Sequence, residues 1–169
     1  MNYRDLASLP LFQGLPKKDV KRFAALADIM DIGEGEYLFG QGEPADRLFV
    51  MLEGEVEIRY NPGDGGALTV TSLERGGVFG WSAVLGRAAY TSGAICTIPG
   101  KAISVKGDRF REMCEQHPNT GVLIIERLAD VIAGRLSSTR EAVTQVLHNT
   151  VASGTQTGAG GKRTDGGNK

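Results

Sequence analysis

Between residues 29 and 103, apolar and polar residues alternate in short runs, and glycine or proline closes most of them. A period of two sends successive side chains to opposite faces of a strand, so such runs predict an antiparallel barrel or roll. The clearest part is residues 35–56, GEYLFGQGEPADRLFVMLEGEV, where Gly42 and Gly54 stand at positions where tight turns need a positive φ. Alternation continues through Val56, Ile58 and Tyr60, and residues 61–66 (NPGDGG) read as a polar hairpin loop before Leu68, Val70 and Ser72. A calcium loop is the other use of Asp among glycines, but one carboxylate without the EF-hand spacing favours the turn. Ala94, Cys96 and Ile98 then alternate toward an expected break at Pro99 and Gly100, and Ala102, Ile103 and Val105 close the roll.

Residues 76–94, GGVFGWSAVLGRAAYTSGA, interrupt that regularity. Glycines open the stretch, Ser82, Ala83, Val84 and Leu85 form a short apolar segment, and a β-prone run resumes at Tyr90. A strand, one helical turn and a second strand fit this order, with Gly80 allowing close backbone approach. A one-turn helix leaves its first N–H groups without partners, which is the shape of a cradle for a phosphate or carboxylate.

Helical spacing flanks the β region on both sides. Leu6 and Leu9 precede a break at Pro10, a turn falls at Gln13 and Gly14, and Val20, Phe23, Ala24 and Leu26 follow, with Pro16 suited to a first turn. Past the roll, periodicity resumes with Asp108 as the expected N-cap region, continues through Phe110 and Met113, and is interrupted near His117 and Pro118. Beyond Asn119 a long helix is expected, in which Val122, Ile125, Ala129, Ile132, Leu136, Thr139, Val143 and Val146 recur at alternating steps of three and four. That is the seam of a coiled coil, and one domain surface buries only part of it, so a parallel homodimer is expected. The resulting division is a helical lead-in (1–28), a roll (29–106), C-terminal helices (107–150) and a glycine-rich tail (151–169) whose composition predicts disorder.

With 169 residues and 41% hydrophobic content, the chain suits one domain with appendages, and a net charge of −1 offers no bulk attraction to nucleic acid or anionic membrane. Cys96 and Cys114 lack metal spacing and fall in apolar patterns, so both are expected as buried free thiols in a reducing compartment. No basic-then-apolar leader opens the sequence and no apolar run reaches roughly 18 residues, from which a cytoplasmic protein without a membrane span is expected. His117 and His148 are isolated from both cysteines, no P-loop lysine accompanies the cradle, and catalysis is not expected.

The stretch at 76–94 resembles the phosphate-binding cassette of the cyclic nucleotide-binding domain family, found in Crp/Fnr regulators and kinase regulatory subunits. Residues 35–56 match that family's glycine-and-apolar signature nearly position for position, and the lead-in LPLFQGLPKKDVKRFAALAD and the helix RLADVIAGRLSSTREAV resemble its N-terminal helical segment and its dimerising C-helix. The resemblance implies a mainly β fold with flanking helices: a β-roll (double-stranded β-helix or jelly roll) followed by a long dimerisation helix. Phe79, Gly80, Ser82 and Ala83 then belong to the cassette, but Trp81 stands where the family Glu accepts from the ribose hydroxyl, and Tyr90 where its Arg pairs with the phosphate. Thr91 and Ser92 follow Tyr90, and Arg87 in the cassette turn offers a replacement positive charge. Each lost charged contact is worth roughly 1.5–3 kcal/mol, so weak or no binding of cyclic AMP is expected. In Crp-type members a Thr of the C-helix bonds the base across the dimer, and the resemblance places Thr139 there, beside Ser138 and Arg140. Thr139 also lies on the seam, so packing competes with ligand contact.

Two functions follow as expectations. One is a homodimeric, ligand-responsive signalling module that takes a cyclic nucleotide or another small anionic ligand and addresses a downstream protein partner. The other is an interaction scaffold that keeps the fold with a filled pocket. The family's transcription factors follow the C-helix with a helix-turn-helix, whereas this sequence runs into glycine, so no direct DNA binding is expected. Whether the rings of Trp81 and Tyr90 point inward or splay outward separates the two functions.

Overall fold

The computed structural model describes the backbone of residues 3–63 and 65–154 and the side chains of residues 5–63 and 65–136. The chain forms two compact units, residues 1–131 and residues 132–169. Of the tail expected over 151–169, residues 151–154 are helical instead, and the rest, like the side chains of Ser138, Thr139, Arg140 and Val143, lies outside the described residues.

In the first unit a short helix α1 (Tyr3–Ala7), a 3-10 turn (Pro10–Phe12) and helix α2 (Lys17–Ala24) lead into six antiparallel strands: β1 (Ala27–Ile32), β2 (Tyr37–Phe39), β3 (Arg47–Tyr60), β4 (Leu68–Leu73), β5 (Val78–Phe79) and β6 (Gly93–Lys106). The sheet runs β1-β6-β3-β4, with β2 paired to β6 and β5 to β3. Two 14-residue strands, β3 and β6, carry it, paired from Arg47 opposite Lys106 to Arg59 opposite Gly93 with register shifts between Met51 and Val56. Their length lets each serve several partners, which wraps a single sheet into a roll around one lumen. The lumen is filled by side chains that include Ile32, Phe39, Phe49, Met51, Val56 and Phe79.

The expected break at Pro99 and Gly100 is instead a bulge within the continuous strand β6. Pro99 has no N–H to give a ladder, and the register slips on either side of Glu53 and Glu55 across from it. Gly54 turns there with φ 81°, and a Cβ on Gly100 would run into the Glu53 carbonyl. Glycine is thus required on both strands of the bulge. The hairpin at 61–66 joins β3 to β4 as expected, and Gly42 has the anticipated positive φ of 85°.

Helix α3 (Gly107–Gln116) follows β6 without a loop. Its N-cap is Lys106, with no side-chain cap, and Asp108 sits inside the first turn accepting from the Arg109 N–H (2.7 Å), so the expected Asp108 cap is displaced by two residues. Pro118 cannot donate to the preceding turn and opens the 37-residue helix α4 (Pro118–Gly154). The first turns of α4 bury Thr120, Gly121, Ile124 and Leu128, while Val122 (56% exposed) and Ile125 (42%) face water. Lead-in and α3 meet through Phe12, Phe23 and Phe110, whose rings pack edge to face at 4.9 and 6.4 Å.

A polar clasp joins α2 to the start of α4. Asp19, 2% exposed, accepts at Oδ1 from Thr120 Oγ1 (2.6 Å) and Arg22 Nη1 (2.9 Å), and Arg22 Nη1 also donates to Thr120 Oγ1 (2.9 Å). The Thr120 hydroxyl, followed by Arg22, holds the Asp19 carboxyl below its usual range against the opposing effect of burial. Among the described residues no helix is long and apolar enough to cross a membrane.

Candidate functional site

The cassette hangs between β5 and β6. Strand β5 pairs through Val78 and Phe79 with Val50 and Phe49 of β3, which delivers the chain to Gly80 over the lumen. Gly80 adopts φ 72°, and a Cβ there would sit 2.7 Å from the Arg47 carbonyl oxygen and 3.0 Å from the Phe49 ring. Only glycine lets the backbone turn this close to β3.

The helical turn that follows is a 3-10 turn over Trp81–Ala83. Its amides are used within it: Ala83 N–H donates to Gly80 (3.2 Å), Val84 and Leu85 N–H to Trp81 (3.1 and 3.0 Å), and Arg87 N–H to Ser82 (3.1 Å). The expected cradle of unpartnered amides is therefore narrowed, because a tight i to i+3 turn consumes its donors sooner than an α-turn. Ser82 and Ala83 are buried, Trp81 is half-buried, and the Arg87 side chain is exposed. The turn is anchored to α3 by Arg111 Nη1, which donates to the Ala83 carbonyl (2.9 Å).

Tyr90 settles its own direction through both its backbone and its side chain. Its N–H donates to Glu43 and its carbonyl accepts from Gly42, each at 2.9 Å, fixing residue 90 against the β2–β3 loop. The side chain points into the roll and is 4% exposed. Its ring stacks on Phe39 with centroids 3.8 Å apart and planes 17° apart, and Phe39 stacks in turn on Phe49 at 5.8 Å. Its hydroxyl accepts from the Arg47 N–H (2.9 Å) and donates to the Arg47 carbonyl (2.8 Å), with the Asp46 carboxylate 3.4 Å away. Burial, with the Asp46 charge adding to it, pushes the phenol above its ordinary range against the pull of the Arg47 backbone, so the ring stays neutral. Thr91 is exposed and Ser92 half-buried beside it.

The structure thus puts Phe79 and Tyr90 in the core of the lumen, buries Ser82 and Ala83, the latter against the start of α3, and leaves Arg87 and Thr91 facing water. Of the seam residues, Ile125 and Leu136 are exposed (42% and 58%) and Ile132 is half-buried. Sequence reasoning missed the partners of Tyr90, namely Phe39, Asp46 and the Arg47 backbone, and it missed Arg111. Phe39 carries the one local signal, since it ends an alternating run on the inward face. Cys96 is buried as expected, whereas Cys114 is only partly so, and burial raises both thiols above their ordinary range.

Roll, cassette turn and flanking helices define a β-roll architecture with the Tyr90 ring buried among its core residues. The family model for the cyclic nucleotide-binding domain matches residues 30–117, and the chain belongs to that family. A CRP-like cAMP-activated global transcriptional regulator from Mycobacterium tuberculosis is 27% identical over 146 residues, which cover 86% of this chain and 63% of the regulator. The crystal structure of a cyclic nucleotide-binding domain from Methylobacillus flagellatus has the same fold, with a TM-score of 0.78 at 15% identity over 85% of this chain and 83% of that one. A structure from Geobacter metallireducens reaches a TM-score of 0.71 at 29% identity, over 80% of this chain and 98% of its own.

Proposed function

We propose that the protein is a homodimeric regulatory module of the cyclic nucleotide-binding type whose recess is filled by its own Tyr90, and which binds cyclic AMP and cyclic GMP weakly or not at all. The observation that carries this is the inward Tyr90 ring, stacked on Phe39 at 3.8 Å and held by two hydrogen bonds to Arg47. A cyclic nucleotide would have to displace that ring and would find neither a Glu at 81 nor an Arg at 90. Two lost charged contacts amount to about 3–6 kcal/mol, or roughly two to four orders of magnitude in Kd. The same geometry favours the filled-pocket reading over a cassette that responds to an anion.

Dimerisation through α4 is supported by its two unequal faces. Ile124 and Leu128 are buried at 0% and 1% exposure, while Val122, Ile125 and Leu136 keep an apolar stripe in water at heptad-like spacing. Output through a protein partner rather than directly on DNA is supported by the net charge of −1, which supplies no electrostatic footprint for a polyanion. Burial raises the thiols of Cys96 and Cys114 above their ordinary range, which makes both poor nucleophiles. Calorimetric titration with cyclic AMP and cyclic GMP tests the proposal: no isotherm tighter than micromolar is expected, and a nanomolar one would overturn it.

A further inference from the structure

A cleft opens beside Phe49 of the aromatic stack. Asp28 of β1 and Phe49 of β3 both lie directly opposite Ser104 of β6, so all three side chains leave the same face of the sheet, and Met30 and Arg47 follow on that face. Leu38 and Tyr37 of β2 close the other wall, leaving a cleft of about 400 Å³. That size falls within the range of small-molecule sites, roughly 300–1,000 Å³.

The polar lining of the cleft includes two acids, Asp28 and Glu36, and two donors, Ser104 and Arg47. Ser104 is 1% exposed, and its hydroxyl oxygen accepts from Arg47 Nη1 at 2.7 Å. No hydrogen bond uses the Ser104 proton among the described residues, and that contact is also the only hydrogen bond made by the Arg47 side chain. Asp28 and Asp46, both exposed, form long ion pairs with the guanidinium at Nη1 (3.8 Å) and Nε (3.9 Å) without hydrogen-bonding it. A buried hydroxyl and a guanidinium fork with donors to spare, set among Met30, Leu38 and Phe49, ask for an acceptor on an apolar body. A carboxylate matches the fork in bidentate fashion. Asp28, Asp46 and Glu36, whose Oε2 is occupied by the Gly33 N–H, place negative charge around the mouth and oppose a dianionic phosphate.

We infer that the cleft between β1, β2 and β3 binds a small monocarboxylic acid with an apolar or aromatic body, its carboxylate on Arg47 and Ser104 and its body against Met30, Leu38 and Phe49. No cassette residue lines the cleft, although Arg47 and Phe49 of its lining abut Gly80. The Arg47 backbone, however, is the group that holds the Tyr90 hydroxyl, so an occupant pulling on Arg47 reaches the cassette through one residue.

The test is a two-dimensional 15N–1H titration of the full chain with phenylacetate, alongside phenylacetamide and phenyl phosphate. Saturable shifts are expected at the amides of Met30, Leu38, Phe49 and Ser104, with phenylacetamide and phenyl phosphate each about tenfold weaker or more. Arg47→Lys is expected to weaken phenylacetate about tenfold, because the ammonium cannot reproduce the fork. Met30→Trp, which fills the cleft with a ring, is expected to abolish the shifts in a protein that keeps its dispersed spectrum. The inference is overturned by an absence of saturable shifts up to about 10 mM, where a ligand of ten heavy atoms at modest efficiency still registers. It is equally overturned by equal binding of the amide, by shifts confined to Gly80–Ser92, or by undiminished binding in Met30→Trp. Tight cyclic nucleotide binding at the cassette would refute the filled-recess proposal, whereas phenylacetate shifts recorded without nucleotide at Met30, Leu38, Phe49 and Ser104 test this cleft by themselves.

Discussion

Replacing Tyr90 by Phe keeps the ring on Phe39 and removes only the hydroxyl. In the native protein that hydroxyl accepts from the Arg47 N–H at 2.9 Å and donates to the Arg47 carbonyl at 2.8 Å, in a position 4% exposed. Phe leaves the amide without this acceptor where water reaches it poorly, a loss of about 1–3 kcal/mol. For a chain of this length each kcal/mol lowers Tm by roughly 2–4 °C, so a central value of about 2 kcal/mol corresponds to a fall of roughly 4–8 °C. Tyr90→Ala removes the ring as well and opens a cavity against Phe39, at a cost of about 3–5 kcal/mol. Urea unfolding followed by far-ultraviolet circular dichroism reads both, with an unchanged m-value showing that the unfolded state is not involved. If Tyr90→Phe falls within roughly 0.3 kcal/mol of the native protein, the hydroxyl is solvated and the Arg47 backbone does not hold it.

Three further outcomes follow from other parts of the structure. Asp19→Ala, which strips the clasp between α2 and α4, is expected to cost about 2 kcal/mol in the same assay. Because the folded-state pKa of Asp19 lies below its unfolded value, its contribution is present above the unfolded pKa near 3.8 and is lost as the pH falls through the folded one, so the gap between native protein and Asp19→Ala should close in acid melts below about pH 4. Gly80→Ala sets a Cβ 2.7 Å from the Arg47 carbonyl at φ 72°, and a loss of more than about 1 kcal/mol is expected from chemical denaturation. Ile125→Asp puts a charge on the exposed stripe of α4 and is expected to shift sedimentation velocity from dimer to monomer without lowering the Tm of the roll.

What the sequence discloses here is what local chemistry decides. The turns at Gly42 and Gly54, the hairpin at 61–66 and the strand-turn-strand order around Gly80 follow from residues a few positions apart, and the structure has each of them. The outer stripe of α4 at Val122, Ile125 and Leu136 is written in a period that one helix suffices to read, whereas the inner stripe of Ile124 and Leu128 lies off that period and shows only against the rest of the fold. Pro99 and Gly100 misled because a proline signals a break only when no partner strand absorbs it. Here Gly54, 45 positions earlier, bulges in step and keeps β6 whole. The Asp19–Thr120 clasp spans 101 positions, and nothing near either residue announces the other. At the cassette the departure at 81 and 90 is visible in the sequence, but the direction of Tyr90 is not. A tyrosine carries both an apolar ring and a polar tip, and it turned inward because Arg47 offers a backbone pair to that tip while Phe39 offers a face to the ring.

The measurement closest to the central claim is the set of proton-proton Overhauser contacts of the Tyr90 ring, recorded with cyclic AMP in millimolar excess. Contacts from Tyr90 to the Phe39 ring that persist unchanged are the expected result. Their disappearance, with new contacts between purine protons and residues Phe79 to Ala83, would show that the ring is a gate rather than a plug.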